Sequence, residues 1–213
     1  MAIQGDQVHA LLLAAGESTR MGALKALLPW EGRPLLRYQV EQLLASSVER
    51  VVVVLGHRSA ELRVLLAEDR RLVVVENDRY RTGKVSSILS GLAAVPPGGH
   101  VLVLSVDQPR PAALVSATIA AHLGSGAMIT VAAHGGRGGH PVLFAPPLRA
   151  ELESVDEATQ GLRSVMQRHA ADVQRHETGS PLALVNLNTP EDYERAQRHL
   201  LSSSTTRARA GSQ

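Results

Sequence analysis

Apolar runs and polar breaks alternate along the chain. VHALLLA (Val8 to Ala14) is apolar at almost every position, over the length of a strand. VVVVLGH (Val51 to His57), RLVVVEN (Arg71 to Asn77) and VLVLSVD (Val101 to Asp107) repeat the pattern. A strand with one wet face alternates apolar and polar residues, so continuous β-branched runs predict strands buried on both faces. AMITVAA (Ala127 to Ala133), PVLFA (Pro141 to Ala145) and LALVNLN (Leu182 to Asn188) predict three more. Between the strands the apolar spacing lengthens to that of helices. Pro34 to Ala45 sets Leu35, Leu36, Val40, Leu43 and Leu44 on one face. Glu61 to Glu68 and Val85 to Val95 predict two further helices, the second ended by Pro96-Pro97-Gly98-Gly99. Pro109-Arg110-Pro111 opens another. TPEDYERAQRHL (Thr189 to Leu200) closes the series as a helix.

Strands alternating with helices predict an α/β three-layer sandwich, a mostly parallel Rossmann-like sheet with helices on both faces. A length of 213 residues favours one domain, over residues 1–200. Residues 201–213 are polar and apolar-poor, which predicts a disordered tail. In such sheets ligands sit beyond the carboxyl ends of the strands. Those ends are Ala14-Ala15-Gly16, Gly56-His57, Glu76-Asn77 and Ser105-Val106-Asp107.

Composition then narrows the chemistry. The chain has no cysteine, which excludes disulfides, thiolate zinc sites and cysteine nucleophiles. Aromatic residues make up 2%, too few for a platform that stacks single-stranded nucleic acid. The arginines are scattered, with no basic stripe, so nucleic acid is not an expected partner. No stretch approaches the roughly 18 apolar residues of a membrane span. Met1 to Val8 lacks the regions of a signal peptide. The expectation is a cytoplasmic protein that makes no membrane contact. Of 22 lysines and arginines, only Lys25 and Lys84 are lysine. Against that bias, a retained lysine points to a need for a compact charge on a thin, flexible stem.

Lys25 lies in LLLAAGESTRMGALKALLPWEG (Leu11 to Gly32), where a strand gives way to a glycine-containing loop. Gly16 and Gly22 can take backbone conformations closed to other residues. Exposed N–H groups between a strand and a helix form an anion cradle, and Arg20 and Lys25 add charge. Neither G-x-x-x-x-G-K-[ST] nor G-x-G-x-x-G is present. Asp107, at a strand end, suits a hard cation, or a helix N-cap. Asn188 offers a neutral oxygen to the same cation, or a cap before Thr189-Pro190-Glu191. Ser86 and Ser87 follow Thr82-Gly83 as caps or as ligand contacts. His140 precedes Pro141 in a glycine-rich loop. The remaining histidines show no metal spacing.

LAAGESTRMGALKALLPWEGRPLL resembles the signature of the molybdenum cofactor nucleotidyltransferase family, as do SVDQP (Ser105 to Pro109), GGHPVLF (Gly138 to Phe144) and NLNTPEDY (Asn186 to Tyr193). The resemblance spans about residues 8 to 200 and implies the family's Rossmann-like nucleotidyltransferase fold. LAAG, GHR, VDQP and GHPVLF look most like the cytidylyltransferases, whereas Asn186-Leu187-Asn188 resembles the guanylyltransferases. By resemblance, Leu13, Ala14, Ala15, Gly16, Arg20, Lys25, Gly83, Ser87 and Asp107 bind nucleotide, and Lys25 and Arg20 are catalytic. Asp107 and Asn188 hold Mg2+, and His140 and Pro141 contact the acceptor. The implied reaction moves a nucleoside monophosphate, from CTP or alternatively GTP, to a molybdopterin-type phosphate and releases pyrophosphate. The product passes to a molybdoenzyme or its chaperone by transient contact. Other small acceptors, such as a sugar phosphate, are the alternative. A non-enzymatic carrier is disfavoured, because it needs no site for a leaving group.

Overall fold

The computed structural model describes residues 6–198. The proposed tail at 201–213 and the last two residues of the helix expected over 189–200 lie outside the described residues.

Seven strands form one sheet. They are β1 (Val8–Ala14), β2 (Arg50–Leu55), β3 (Leu72–Glu76), β4 (His100–Ser105), β5 (Ile129–His134), β6 (Arg137–Phe144) and β7 (Val173–Glu177). Their spatial order is β3-β2-β1-β4-β6-β5-β7. Only β6 runs antiparallel to its neighbours, β4 and β5. The sheet is therefore mostly parallel, as its apolar runs predict. The helices are α1 (Leu35–Leu44), α2 (Ser59–Arg63), α3 (Lys84–Leu92), α4 (Ala112–Ser125), α5 (Arg149–Glu153) and α6 (Leu162–Arg168). Residues 190–198 are also helical.

The alternation of side chains along β1 sorts the core into two layers. Val8, Ala10, Leu12 and Ala14 face a cluster built with Leu35 and Leu43 of α1, Leu62 of α2 and Val115 of α4. Leu11 and Leu13 face the other cluster, with Ile88 of α3, Leu152 of α5 and Val165 of α6. Val51 to Val54 contribute to both and are wholly buried. Each such side chain stabilises by roughly 1.5–3 kcal/mol, which explains why an uninterrupted apolar run is needed.

Three expectations are corrected. Leu182 to Asn188 is not a strand: Pro181–Leu184 is a 3-10 turn, and residues 185–188 belong to no strand. Buried Arg110 donates to the carbonyls of Ala183 and Val185, which takes those acceptors away from a ladder. The helix expected over Glu61 to Glu68 forms earlier, as Ser59–Arg63, and Val64 just beyond it is exposed. The seventh strand is VQRHE, a half-exposed segment at the sheet edge that pairs parallel to β5 and has no apolar run.

Candidate functional site

The carboxyl ends of β1 and β4 lie side by side, since Val106 N–H donates to the Leu13 carbonyl at 2.9 Å. The loop after β1 is held by two further bonds. His57 N–H donates to the Ala15 carbonyl at 3.0 Å, and Lys25 N–H donates to Ser18 Oγ at 3.1 Å. Gly22 adopts the left-handed conformation expected of it, at φ 68°, and Ser18 shares that conformation at φ 58°. Gly16 is not among the positive-φ residues, so its backbone is open to any residue type.

A cleft of about 350 Å3 opens between these strand ends. Leu13, Ala14, Ala15 and Gly16 line it on the loop side, with Arg20 and Lys25. Gly83, Ser87 and Asp107 line it opposite. Every residue that the sequence marks for nucleotide contact is thus gathered in one place. Asn188 joins them through Lys25. The Lys25 ammonium donates to Asp107 Oδ2 at 2.7 Å and to Asn188 Oδ1 at 2.9 Å. A carboxylate and an amide oxygen that converge on one cation are a donor set suited to a hard metal ion, whose remaining ligands come from phosphate and water.

The capping alternatives fall away. The N-cap position of α4 is Pro111, four residues beyond Asp107. Thr189 caps the 190–198 helix: its Oγ1 accepts from Asp192 N–H, while Asp192 Oδ2 accepts from Thr189 N–H. Asn188 is free of that duty. The N-cap position of α3 is Gly83, which also frees Ser86 and Ser87. Buried Asn77, at the end of β3, donates to both serine hydroxyls, at 2.9 and 3.0 Å.

A second cavity of about 330 Å3 adjoins the first, sharing Lys84 and Ser105 with it. Its walls are largely apolar, with Val103, Val142, Phe144 and Met166, and His140 is among the residues that line it. Burial, reinforced by Arg110 and Lys84, pushes the His140 pKa down to about 3, so the ring is neutral. Pro141 is buried and lines neither cavity.

Several residues of the site were not legible as such. Tyr80 lines the cleft with the Arg81 guanidinium over its ring. Arg110 is wholly buried, and its guanidinium donates to the carbonyls of Pro109, His140, Ala183 and Val185. Burial pushes its pKa down to about 9. Gln108 donates to Asn186 Oδ1 at 2.7 Å, and Leu187 N–H donates to the Asp107 carbonyl at 2.8 Å. These bonds tie the 183–188 segment to the end of β4. Gln108 and Arg110 belong to the SVDQPRP run, but nothing in their spacing marks them as struts. Lys84 carried a signal, as one of only two lysines.

The fold and the cleft define an α/β protein that gathers Arg20, Lys25 and Asp107 in one cleft at the ends of parallel strands. The model of the MobA-like NTP transferase domain matches residues 10–173, and the chain belongs to that family. It is 33% identical to the molybdenum cofactor guanylyltransferase of Rhizobium leguminosarum bv. trifolii, over 93% of this chain and 96% of that one. The Escherichia coli molybdenum cofactor cytidylyltransferase is 24% identical, over 87% of this chain and 93% of its own. The nicotine blue oxidoreductase of Paenarthrobacter nicotinovorans is 32% identical, over 76% and 82%. Among solved structures, a nucleotidyl transferase of Methanothermobacter thermautotroptrophicus superposes with a TM-score of 0.79 at 25% identity, covering 93% of this chain and all of that one. A Mycobacterium tuberculosis protein solved in complex with manganese superposes at 0.68 and 25% identity, over 89% and 97%. Among the described residues no helix is long and apolar enough to cross a membrane.

Proposed function

We propose that the chain transfers CMP from CTP to the terminal phosphate of a molybdopterin-type acceptor and releases pyrophosphate. The observation that carries this reading is the convergence of Asp107 and Asn188 on Lys25, which lines a cleft with the Ala14–Gly16 loop. The acceptor phosphate is already an anionic nucleophile, so positioning and charge stabilisation outweigh proton transfer. Arg20 and the amides near Gly16 hold the β- and γ-phosphates. Asp107 and Asn188 hold a divalent cation, Mg2+ in the cell, which when bound neutralises phosphate oxygens. With a cation held by Asp107 and Asn188, the Lys25 ammonium would be free to serve the α-phosphate, where charge builds.

Asn77 fills the acceptor side of Ser87 Oγ, which leaves the hydroxyl proton for the base. Neutral His140 meets the acceptor in the second cavity. The reaction belongs to a single unit over residues 1–200. It is placed in the cytoplasm, where nucleoside triphosphates are available, and the product is handed to a molybdoenzyme or its chaperone in a transient contact. GTP is the second donor reading, favoured by the Asn186-Leu187-Asn188 run and by the guanylyltransferase relative.

The test is a panel of ATP, CTP, GTP and UTP with Mg2+, each with and without molybdopterin, scored for pyrophosphate. Release from CTP only when molybdopterin is present is expected. Release from GTP instead overturns the base assignment, and release from none overturns the transferase reading.

A further inference from the structure

Both lysines of this arginine-rich chain line the same cleft. Lys25 has a place in the reading above, whereas Lys84 has none. It is the first residue of α3, and its Nζ donates to Ser105 Oγ at 3.1 Å. Ser105 ends β4, two residues before Asp107. The ammonium is thus pinned to a hydroxyl at the strand end, rather than to a carboxylate. Lys84 lines the cleft and the second cavity alike.

That placement is informative on charge grounds. If the donor triphosphate fills the first cavity and the acceptor the second, the attacking phosphate must cross their shared wall. Two polyanions then approach each other where Lys84 stands. The other groups around its ammonium are Asp107, Glu157 and Lys25. An anion already sits beside it: Glu157 Oε1 accepts from Val85 N–H at 2.5 Å, at the N-terminus of α3.

We propose that Lys84 is a second catalytic lysine, which binds the attacking phosphate of the acceptor while Lys25 attends to the donor. The proposal rests on the transferase reading and adds a residue to it. An oxygen of the acceptor phosphate forms a bond to the α-phosphorus. The bond from that phosphorus to the bridging oxygen of the β-phosphate breaks, and its electron pair leaves with pyrophosphate. No proton moves, so Lys84 is needed only as a charge. A lysine serves because it can leave Ser105 and follow the phosphate as a compact donor, which the planar fork of arginine cannot do as well. The crowding protein pushes its pKa below that of ordinary lysine, against the pull of Asp107 and Glu157.

The experiment uses the full chain, a non-hydrolysable CTP analogue with Mg2+, and inorganic phosphate as the probe of the acceptor position. Lys84→Met is expected to leave analogue binding within about threefold, and to weaken phosphate binding to the analogue complex about tenfold to hundredfold. With molybdopterin as acceptor, its kcat/KM falls by a similar factor. Lys84→Arg recovers only part of the loss. Ser105→Ala, which keeps the charge but unpins it, weakens phosphate binding less than Lys84→Met, and Lys84→Gln, with a polar tip and the same expected loss, takes the place of Lys84→Met if that variant does not fold. Phosphate binding unchanged in the folded variants overturns the proposal, as does a loss confined to the CTP analogue. A wild-type chain that binds no nucleoside triphosphate instead overturns the transferase reading beneath it.

Discussion

Gly139 lies on β6, against the segment that carries Asn188. A Cβ placed there would stand 1.9 Å from the carbonyl oxygen of Ala183 and 2.7 Å from its carbon. Carbon–oxygen contacts settle near about 3.3 Å, so Gly139→Ala forces one backbone to move by about 1.4 Å. The obstacle is main chain, which no rotamer change can relieve. That same carbonyl accepts from Arg110 at 2.9 Å, as does the carbonyl of Val185. Overpacking costs about 1–3 kcal/mol, and a lost bond to a charged donor about 1.5–3 kcal/mol. The sum is on the order of 4 kcal/mol, or a Tm lowered by about 8–16 °C for a chain of this size. Asn188 moves with the segment, so turnover falls as well.

Two other glycines calibrate the experiment. A Cβ at Gly138 meets only the Val131 side chain, at 3.2 Å, and Gly138→Ala should cost less than about 1 kcal/mol. A Cβ at Gly16 meets nothing within 4 Å. Gly16→Ala should therefore melt with the wild type, yet bind nucleotide more weakly if the loop cradles phosphate. Thermal denaturation and pyrophosphate release on the three variants separate these cases. A Gly139→Ala protein that melts within about 2 °C of wild type and turns over normally would refute the view that this close approach holds the 183–188 segment.

Lys25→Ala should lower turnover about a hundredfold while affecting nucleotide affinity far less, because its charge is needed most in the transition state; near-normal turnover removes it from the mechanism. Asp107→Asn should lose divalent-metal-dependent activity and keep the fold, since the amide can still accept from the Lys25 ammonium, which also keeps Asn188; early melting with retained turnover would make its role structural. Equal CTP and GTP in competition should yield mainly the cytidylyl product, and a guanylyl product reverses that assignment alone. Stability should also fall with acid. His140 and His122 have folded pKa values of about 3 and about 4, below the ordinary 6.5, so the unfolded chain binds more protons as pH drops through 6.5. Between pH 8 and pH 5 this removes on the order of 2 kcal/mol for each. Urea denaturation at the two pH values checks it, and an unchanged slope in His122→Gln would discount that histidine.

Strands β1, β2, β3 and β4 were legible because each needs apolar side chains over most of its length, and such runs are rare elsewhere in the chain. The seventh strand, VQRHE, was not, because edge position and half-exposure leave it no hydrophobic signature. LALVNLN misled for the converse reason. Its apolar residues are real contributors, with Ala183 and Leu187 fully buried, but its carbonyls are claimed by Arg110. A hydrophobic pattern reports which side chains are buried, and is silent on which donor reaches the main chain. The reversal at β6 was hidden too, since a buried strand reads alike in either direction.

The site divides along a similar line. Gly16, Lys25 and Asp107 were marked because each lies at or beyond the carboxyl end of a strand, and their meeting follows from strand order once β1 and β4 are neighbours; Asn188 was marked as the end of a strand that does not form, and reaches Lys25 on a segment that Gln108 and Arg110 tie to β4. Arg110 illustrates what that logic misses. A cation beside two prolines, just before a helix, suggests a surface position. Yet its side chain is wholly buried, its charge met only by neutral carbonyl oxygens. Burying a charge with no carboxylate in contact is costly, and burial has pulled its pKa to about 9 against the more distant pull of Asp107. The arrangement makes sense if its product is position rather than stability. His140, expected in a loop, lies within β6, and one guanidinium fixes that strand and the Asn188 segment to the end of β4, so that Asn188 and the His140 side of the second cavity are held in register. An arginine's planar fork, with five donors, can reach several backbones at once, and a lysine at the same place could not.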